Sequence, residues 1–541
     1  MEARALKWWG WGFEDVTVPI ESRPILSRYL RDRLEIDVTA RSPVVPIESI
    51  RIPPSILSPE ALAELRTAIG PDGVSVLDRD RLDHAAGRGY RDLVRLRAGR
   101  IDRYPDAILY PGDEGAVRRL LDLAGRRGYA VVPYGGGTSV VGGIEPPLED
   151  RFVAALTLDM RRIAQVRAID RGSRTATVEA GIRGPALEEA LRGSGLTFPH
   201  VPQSWEFSTL GGWIATRAAG GLSNRYGTIE DLVAAVRLVA PARTLDLPAL
   251  PRASHGPALR ELILGSEGTL GVITCATIRV HAVPAERRFG SRLFPSFADG
   301  FEAVRRMAQE DALPDMAYLS DEEETRFGAA AAGISADRPP SHDGPSSGAL
   351  LLMSFEGSRA RVAHRQRQAS AIARPSMDLG ARPARRWQGE RLRLPYLRDA
   401  FLDVGLLVET VETAVPWSRV GTLYDAARAA LGRALGSGGP SLVLCHASHA
   451  YVDGVSLYFT FLARPRPGEE LALWDAAKAS VTNAILDAGG ALSHHHGIGA
   501  DHAPYLGRMI GEDGLVVLRA LKRELDPEGI MNPGKLVAGT R

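Results

Sequence analysis

A glycine-rich segment directly after an apolar run is the most constraining feature of this sequence. Residues 133–143 read PYGGGTSVVGG, and the apolar run 129–132 reads YAVV. A strand that leads into three glycines exposes a row of backbone N–H groups, to which Thr138 and Ser139 add two hydroxyls. The segment matches neither the G-x-G-x-x-G fingerprint nor the P-loop, whose lysine it lacks. It predicts a strand followed by a pyrophosphate-binding turn, although such turns also serve as plain connections.

Two later segments have the same small-residue character. One reads QSWEFSTLGGW at 203–213 and continues with TRAAG at 216–220, and the other reads GSEGTLGVIT at 265–274. In this order and at this spacing, the three segments resemble the FAD-binding domain of the vanillyl-alcohol oxidase and p-cresol methylhydroxylase superfamily. The resemblance implies that the first segment holds the FAD pyrophosphate and that the other two run along the flavin and its ribityl chain.

The composition predicts a large soluble protein. With 541 residues, 45% of them hydrophobic, the chain can bury a sizeable core and should form two or more domains. A net charge of +1 provides no basic field for nucleic acid. Cys275 and Cys445 are the two cysteines, which excludes a disulfide scaffold and indicates a reducing compartment. No apolar stretch approaches the ~20 residues of a membrane span, and the first residues lack a signal peptide's apolar region. We therefore expect a cytoplasmic protein.

The basic residues are unevenly divided between arginine and lysine. Of 66 in all, the lysines are Lys7, Lys478, Lys522 and Lys535. This bias is typical of a GC-rich bacterial genome and carries no argument about function.

Four regions follow one another along the chain. Residues 1–100 are rich in arginine and proline, with a helical stretch at Ser58–Ile69. Residues 101–283 alternate short β-branched runs with helical ones. Residues 284–490 form a second α/β region, interrupted at Gly333–Gly348 by a stretch whose composition predicts a mobile loop. Residues 491–541 contain a histidine cluster and a helix near Leu515–Leu525.

The second region shows its elements clearly. Apolar residues at helical spacing predict a helix over 116–128, and 185–193 opens on proline and closes on glycine as a short helix should. Residues 177–181 and 272–274 have the β-branched character of strands.

The candidate catalytic residues lie outside the glycine-rich segments. Residues 493–497 read SHHHG, and at most two of His494, His495 and His496 can point the same way. A surface run is one interpretation, and a metal site completed by His446 and His449 is another. A purification tag is disfavoured by the internal position of the cluster.

Two further residues have plain structural alternatives. Arg398 begins an amphipathic helix, where arginines usually form surface ion pairs. Tyr458 lies in an alternating strand, VSLYFTF at 455–461, where a core or cross-strand aromatic is the ordinary interpretation.

Nearly the whole chain resembles one family, the alkyldihydroxyacetonephosphate synthases of ether-lipid formation. The resemblance begins at KWWGWG (7–12), includes the FAD segments and VETAVPW (411–417), and ends at SHHHG (493–497). It implies that Arg398 binds substrate, that Tyr458 is catalytic, and that a histidine linked to activity corresponds to His200. It also implies that His494, His495 and His496 are essential.

The same resemblance implies a set of FAD-contacting residues. These are Pro133, Tyr134, Gly135, Gly136, Gly137, Thr138, Ser139, Gln203, Ser204, Trp205, Glu206, Phe207, Ser208, Thr209, Thr216, Arg217, Ala218, Ala219, Glu267, Gly268, Thr269, Leu270, Gly271, Val272 and Ile273. Because Gly135–Ser139 contains no histidine where relatives attach FAD, we expect the flavin to be held non-covalently.

The fold implied is α+β. It combines a two-subdomain FAD-binding domain of the p-cresol methylhydroxylase type with an α/β cap domain, an N-terminal extension and a helical C-terminal tail. The reaction implied is exchange of the acyl chain of acyl-dihydroxyacetone phosphate for a long-chain alcohol through a flavin N5 adduct, with no protein-bound metal and no net redox change. The family is often dimeric, so we expect a homodimer that takes lipid-like substrates.

Lipid substrates imply peripheral contact with a membrane. Trp8, Trp9 and Trp11 beside Lys7 are candidates for that contact. The alternative, which we favour, is that they pack as an N-terminal arm against the FAD-binding domain. The C-terminal residues AGTR are not the peroxisomal signal Ser-Lys-Leu.

The main alternative is a neighbouring branch, the FAD-linked D-2-hydroxyacid dehydrogenases. These have a His-x-Gly-Asp-Gly-Asn-x-His segment and a later Glu-His-Gly that hold a metal ion. Here His446 could be the first histidine, but Gly-Asp-Gly-Asn is absent and His495 stands at the glutamate position. A flavin-binding sensor without turnover is a third reading, which leaves Arg398, Tyr458 and the histidines unexplained.

Overall fold

The structure is a computed structural model that describes residues 4–334 and 348–537. Its elements form two compact units. Unit 1 comprises Met1–Val44, Gly221–Tyr226 and Val283–His494, and unit 2 comprises Val45–Gly220, Gly227–Ala282 and His495–Arg541. Most of the predicted mobile stretch, residues 335–347, and the last four residues lie outside the described ranges.

Helices and strands are numbered in chain order. The α-helices are α1 Pro24–Leu34, α2 Pro59–Ile69, α3 Asp78–Asp83, α4 Tyr90–Arg97, α5 Glu114–Arg127, α6 Gly184–Arg192, α7 Leu210–Thr216, α8 Ser223–Tyr226, α9 Ile229–Leu232, α10 Leu259–Ile263, α11 Phe297–Gln309, α12 Glu322–Ala331, α13 Arg359–Ile372, α14 Arg382–Glu390, α15 Leu394–Asp403, α16 Val420–Gly436, α17 Glu470–Asp487 and α18 Leu506–Leu525. The strands are β1 Val74–Ser75, β2 Ala107–Leu109, β3 Tyr129–Tyr134, β4 Ala154–Asp159, β5 Val166–Asp170, β6 Thr175–Glu179, β7 Leu196–Thr197, β8 Val233–Val239, β9 Thr244–Asp246, β10 Val272–Arg279, β11 His281–Ala282, β12 Glu286–Phe294, β13 Met316–Ser320, β14 Ala349–Gly357, β15 Met377–Asp378, β16 Leu407–Pro416, β17 Ser441–Ala450 and β18 Gly454–Ala463.

Unit 2 contains a four-stranded sheet of order β1-β2-β4-β3, in which β2 and β3 both run parallel to β4. Helix α5 covers it because its apolar residues recur at helical spacing and are buried. The Asp113 carboxylate accepts the N–H of Ala116 at the start of α5, and Gly128 ends the helix in the left-handed conformation. The predicted strand 129–132 and helix 116–128 are confirmed.

A second sheet of unit 2 is antiparallel, with the order β5-β6-β10-β8-β9. Strand β10 contains the predicted run 272–274, and β6 contains 177–179 of the predicted run 177–181. Helix α6 matches the predicted helix 185–193 up to Arg192. Helix α18 continues the predicted C-terminal helix toward its N-terminal side and has a kink at Gly511, whose φ is +77°.

Unit 1 is built on a seven-stranded antiparallel sheet of order β15-β12-β14-β13-β17-β18-β16. Helices α1 and α15 supply buried apolar side chains to a core shared with β16, β17 and β18. Strand β18, which contains Tyr458, lies between β17 and β16 and is therefore fixed on both edges. Among the described residues, no helix is both long and apolar enough to span a bilayer.

Candidate functional site

The glycine-rich loop after β3 packs directly against the second segment of the predicted FAD site. A Cβ atom on Gly136 would collide with the carbonyl oxygen of Phe207, and one on Gly135 would collide with Oγ1 of Thr209. Only glycine permits so close an approach of one backbone segment to another. The need for consecutive glycines therefore comes from packing as well as from ligand access.

The third segment joins the other two. A Cβ on Gly268 would lie 2.9 Å from Cγ of Pro133. The backbone N–H groups of Glu267 and Gly265 donate to the carbonyl oxygens of Ala215 and Ile214, at 2.9 and 3.0 Å. The three segments quoted for the FAD resemblance thus meet within unit 2.

The polar groups left free there match what FAD needs. Across the described ranges, the N–H groups of Gly136, Gly137 and Thr138 have no hydrogen-bond acceptor. A row of such donors is suited to a pyrophosphate. Both ring nitrogens of His200 are buried and likewise have no partner among the described residues. The unsatisfied backbone donors and the glycine cradle fit the cofactor.

Two side chains in the segments predicted to contact FAD form hydrogen bonds within the protein. Oγ of Ser139 accepts the N–H of Gly143 at 3.0 Å. The guanidinium of Arg217 bonds the carboxylates of Glu230 and Glu261 and the carbonyl oxygen of Leu264. These two side chains therefore help to hold the segments in place.

His200 lies in an aromatic environment. Its ring centroid is 5.1 Å from that of Trp213 and 6.0 Å from that of Phe198. Burial lowers the pKa of His200 to about 3 because the charged form cannot be hydrated. His200 is therefore a neutral imidazole at physiological pH, which donates a hydrogen bond from one ring nitrogen and accepts one at the other.

In unit 1, the predicted substrate-binding residue Arg398 is a buried cation with only part of its hydrogen-bonding capacity used. The guanidinium of Arg398, on α15, lies 3.1 Å from Oε1 of Glu409. Nε of Arg398 is buried and has no acceptor among the described residues. The surface ion pair that the sequence also allowed is excluded, because the Glu409 side chain is 1% exposed.

Glu409 is itself held in place. It accepts the indole N–H of Trp474 at 3.0 Å and the backbone N–H of Thr410 at 2.7 Å. Burial opposes ionisation of Glu409, but the nearby cations Arg398 and Lys478 outweigh it and lower the pKa of the carboxyl. Glu409 is thus a fixed anion that orients Arg398.

The N-terminal arm supports the same helix. Nζ of Lys7 lies 2.8 Å from Oδ2 of Asp399, next to Arg398, and the N–H of Trp11 donates to Oδ1 at 3.0 Å. Trp8 and Trp11 are buried. The KWWGWG segment therefore packs as a core arm, as the favoured alternative predicted. Its partner helix belongs to unit 1, which corrects the expectation that the arm packs against the FAD-binding domain.

Tyr458 lies on β18, the strand next to the edge strand β16 in the unit 1 sheet. It pairs with His446 on β17 and with Glu412 on β16. Burial, partly offset by a hydrogen bond with Thr410 and by Arg398, raises the pKa of Tyr458 to about 12. The phenol is therefore protonated at neutral pH.

The histidine cluster is anchored on its N-terminal side by Glu412. One carboxylate oxygen accepts the Ser493 hydroxyl at 2.6 Å, and the other accepts the N–H of His494 at 2.5 Å. Nε2 of His494 lies 2.6 Å from the hydroxyl of Tyr451, and its ring stacks on His449 with centroids 5.1 Å apart. The cluster is partly buried and bonded, unlike a surface run.

The other two predicted histidines belong to unit 2. The rings of His495 and His496 meet edge to face, with centroids 4.7 Å apart. The boundary between the two units falls between His494 and His495.

His446 enters a hydrogen-bond network. Its Nδ1 lies 2.9 Å from Oε1 of Glu324 and 2.8 Å from the hydroxyl of Tyr318. These contacts at Nδ1 fix the orientation of the His446 ring.

Sequence reasoning missed Glu409 and Glu412 as functional residues. Both lie in the strand sequence LVETVETAVP of β16, and both are buried. Because a buried carboxylate needs partners, two glutamates inside such a strand are a signal that the sequence does contain.

Comparison with known proteins gives the same assignment. Residues 105–244 match a model of the FAD binding domain, and residues 283–536 match one of the C-terminal domain of FAD linked oxidases. The alkyldihydroxyacetonephosphate synthase of Dictyostelium discoideum is 35% identical over 92% of this chain and 84% of its own length. That of Trypanosoma brucei brucei is 33% identical over 98% and 92%. A solved alkyldihydroxyacetonephosphate synthase structure, 32% identical, superposes with a TM-score of 0.84 over 98% of both chains.

These relatives are eukaryotic and lend no support to the bacterial origin suggested by lysine usage. The fold is the predicted α+β combination of an FAD-binding domain and a C-terminal oxidase-type domain. The FAD cofactor and the enzyme class are confirmed, and the chain belongs to the alkyldihydroxyacetonephosphate synthase family of FAD-dependent enzymes.

Proposed function

We propose that this protein exchanges the acyl chain of acyl-dihydroxyacetone phosphate for a long-chain alcohol, which makes an ether lipid precursor. The observation that carries the proposal is the buried guanidinium of Arg398, oriented by Glu409 and with Nε left free among the described residues. A planar, fixed cation of this kind suits a phosphate, which it can bind through two parallel hydrogen bonds.

In this proposal, unit 2 holds FAD without a covalent bond. The donors on Gly136, Gly137 and Thr138 would bind the pyrophosphate. When bound, FAD supplies a nucleophilic ring nitrogen, with no net oxidation or reduction. His200 would offer a neutral hydrogen-bonding imidazole to the substrate, because its low pKa keeps it uncharged.

We assign to Tyr458 the transfer of the proton on the reacting carbon. Its phenol is protonated at neutral pH, so it is poised as an acid and needs a partner to act as a base. His494 is fixed through Glu412 and Tyr451, and His495 and His496 complete the proposed set of proton-handling groups. In the overall exchange, the acyloxy C–O bond breaks, the fatty acid leaves with both its oxygens, and the alcohol oxygen becomes the ether oxygen.

We further propose a cytoplasmic homodimer that contacts membranes peripherally, since both lipid substrates partition into bilayers. Trp8 and Trp11 are buried and are poor candidates for the contact. Met509, Ile510, Val516 and Val517 on α18 are exposed and apolar, and are better ones. Flotation with phosphatidylcholine liposomes, comparing wild type with the double substitution Val516→Glu and Val517→Glu, tests this assignment.

Product analysis tests the main proposal. Purified protein incubated with acyl-dihydroxyacetone phosphate and hexadecanol should yield alkyl-dihydroxyacetone phosphate and free fatty acid by mass spectrometry, without any electron acceptor. With an 18O-labelled alcohol, the label should appear in the ether product. Reduction of a dye by a D-2-hydroxyacid, dependent on added divalent metal and on His446, would instead favour the dehydrogenase alternative.

A further inference from the structure

The carboxylate of Glu267 forms a two-pronged contact with the chain that follows the histidine cluster. Its two oxygens accept the backbone N–H groups of Ile498 and Gly499, each at 2.6 Å. Glu267 is 8% exposed and adopts a left-handed backbone conformation with φ +50°, which is unfavourable for a residue with a side chain. An unfavourable backbone conformation at a buried residue points to a function for its side chain.

The same chain segment is also attached to the glycine-rich loop. The carbonyl oxygen of Val141 accepts the N–H of Ala500 at 3.0 Å and that of Asp501 at 3.2 Å. Gly499, with φ +55°, approaches that carbonyl too closely for any Cβ. The turn after the histidines is thus hydrogen-bonded both to Glu267 and to the glycine-rich loop.

Asn532 links the Glu267 segment to the glycine-rich loop. Its Nδ2 donates to the carbonyl oxygen of Glu267 at 2.6 Å and to that of Gly143 at 3.0 Å. The glycine-rich loop, the Glu267 segment and the C-terminal segment are therefore one hydrogen-bonded assembly within unit 2.

We propose that Glu267 is a positioning residue for His495 and His496, acting through the turn at 497–499, and this rests on the proposed function of those histidines. Two backbone donors on one carboxylate fix both the distance and the direction of the turn. The resemblance placed Glu267 among the FAD-contacting residues. Its side chain reaches the segment that follows the two histidines.

The substitution Glu267→Gln tests the proposal, because glutamine has the same shape but a single acceptor for two donors. Hydrogen exchange followed by mass spectrometry on a peptide covering His495–His502 should show faster exchange at Ile498 or Gly499. If histidine placement depends on the contact, kcat for alkyl product should fall by about 10 to 10²-fold, with KM for the acyl substrate and bound FAD unchanged. Glu179→Gln is the matched control, since Glu179 accepts the N–H of Gln165 at 2.8 Å elsewhere in unit 2.

Each other outcome has a defined meaning. If hydrogen exchange in residues 495–502 is unchanged in the variant, the Glu267 carboxylate does not hold the turn. If hydrogen exchange is faster but kcat is unchanged, Glu267 does not position the histidines for catalysis. Glu267→Asp keeps the charge but shortens the reach, and it should act in the same direction. If neither variant folds with FAD, Glu267 is needed only for folding and the proposal is wrong. If the wild type makes no alkyl product, the proposed function fails, while the exchange measurement still decides whether the contact exists.

Discussion

The imidazole of His446 lies nearly parallel to the ring of Tyr458, with centroids 4.8 Å apart and 16° between the planes. On its other side, His446 stacks on Tyr318 at 4.1 Å, and its Nδ1 is bound by Glu324. The proposed catalytic phenol is therefore backed by a ring that is itself anchored. This gives a role to a histidine that the sequence resemblance left without one.

Replacing His446 separates packing from imidazole chemistry. His446→Phe keeps a flat ring against Tyr458, whereas His446→Ala leaves a cavity beside it. If His446 positions Tyr458, the alanine variant should lose about 10 to 10²-fold in kcat and the phenylalanine variant much less. Steady-state kinetics of alkyl product formation measure this. Equal losses in the two variants would show that the imidazole nitrogens are required.

Tyr458→Phe removes one hydroxyl and keeps the ring. If Tyr458 handles the proton on the reacting carbon, the rate should fall by about 10²–10⁴-fold while folding and FAD content survive. Tyr424→Phe is a matched control, because Tyr424 donates to Asp321 at 3.0 Å in the same unit. A control as slow as Tyr458→Phe would show that the loss reports on stability rather than catalysis.

Arg398→Lys should weaken use of the phosphorylated substrate. An ammonium cannot reproduce the planar two-pronged contact, and the loss of a charged hydrogen bond of about 1.5–3 kcal/mol corresponds to about 10 to 10²-fold in kcat/KM. Arg305→Lys, on an exposed face of α11, should change nothing. If Arg398→Lys retains wild-type kcat/KM, the phosphate is bound elsewhere.

The raised pKa of Glu267 predicts that the free energy of unfolding depends on pH. Burial, opposed by hydrogen bonds from Ile498 and Gly499, raises its pKa from 4.5 to about 7. The folded state therefore keeps a proton that the unfolded state has lost, so this residue's contribution to the free energy of unfolding falls between pH 4.5 and about 7 and is constant above. Relative to wild type, Glu267→Gln should gain roughly 3 kcal/mol over that interval. Urea unfolding at several pH values checks this, and parallel curves for the two proteins would contradict the shift.

The burial of all four lysines predicts that their amines are protected from chemical labelling in the native protein. Lys7, Lys478, Lys522 and Lys535 are all between 4% and 8% exposed. Lys522, for example, donates to the carbonyl oxygens of Thr269 and Met531 at 2.6 Å and to the carboxylate of Asp526. An amine-acylating reagent should label none of the four in the native protein and all four in urea. Peptide mass spectrometry measures the labelling of each lysine in the native and in the unfolded protein. Rapid labelling of a lysine in the native protein would show that this lysine is exposed.

Local patterns in the sequence were sufficient for much of this protein. Helix α5 follows from apolar spacing, an Asp113 cap and a Gly128 stop, all within one short stretch. The free donors of Gly136 to Thr138 follow from consecutive glycines after a strand. Both depend on neighbouring residues, whose backbone conformation is decided by sterics and by hydrogen bonds over a few positions.

The pairings that make the candidate site depended on tertiary structure. Glu267 meets Ile498, Arg398 meets Glu409 inside a core, and His446 faces Tyr458 only because β17 and β18 pair in one register. A shift of one residue in that register would turn Tyr458 to the other face of the sheet. Sequence alone shows which side chains are available for chemistry. Which of them meet is decided by strand register and by the burial of charges that must find partners, and both are properties of the whole fold.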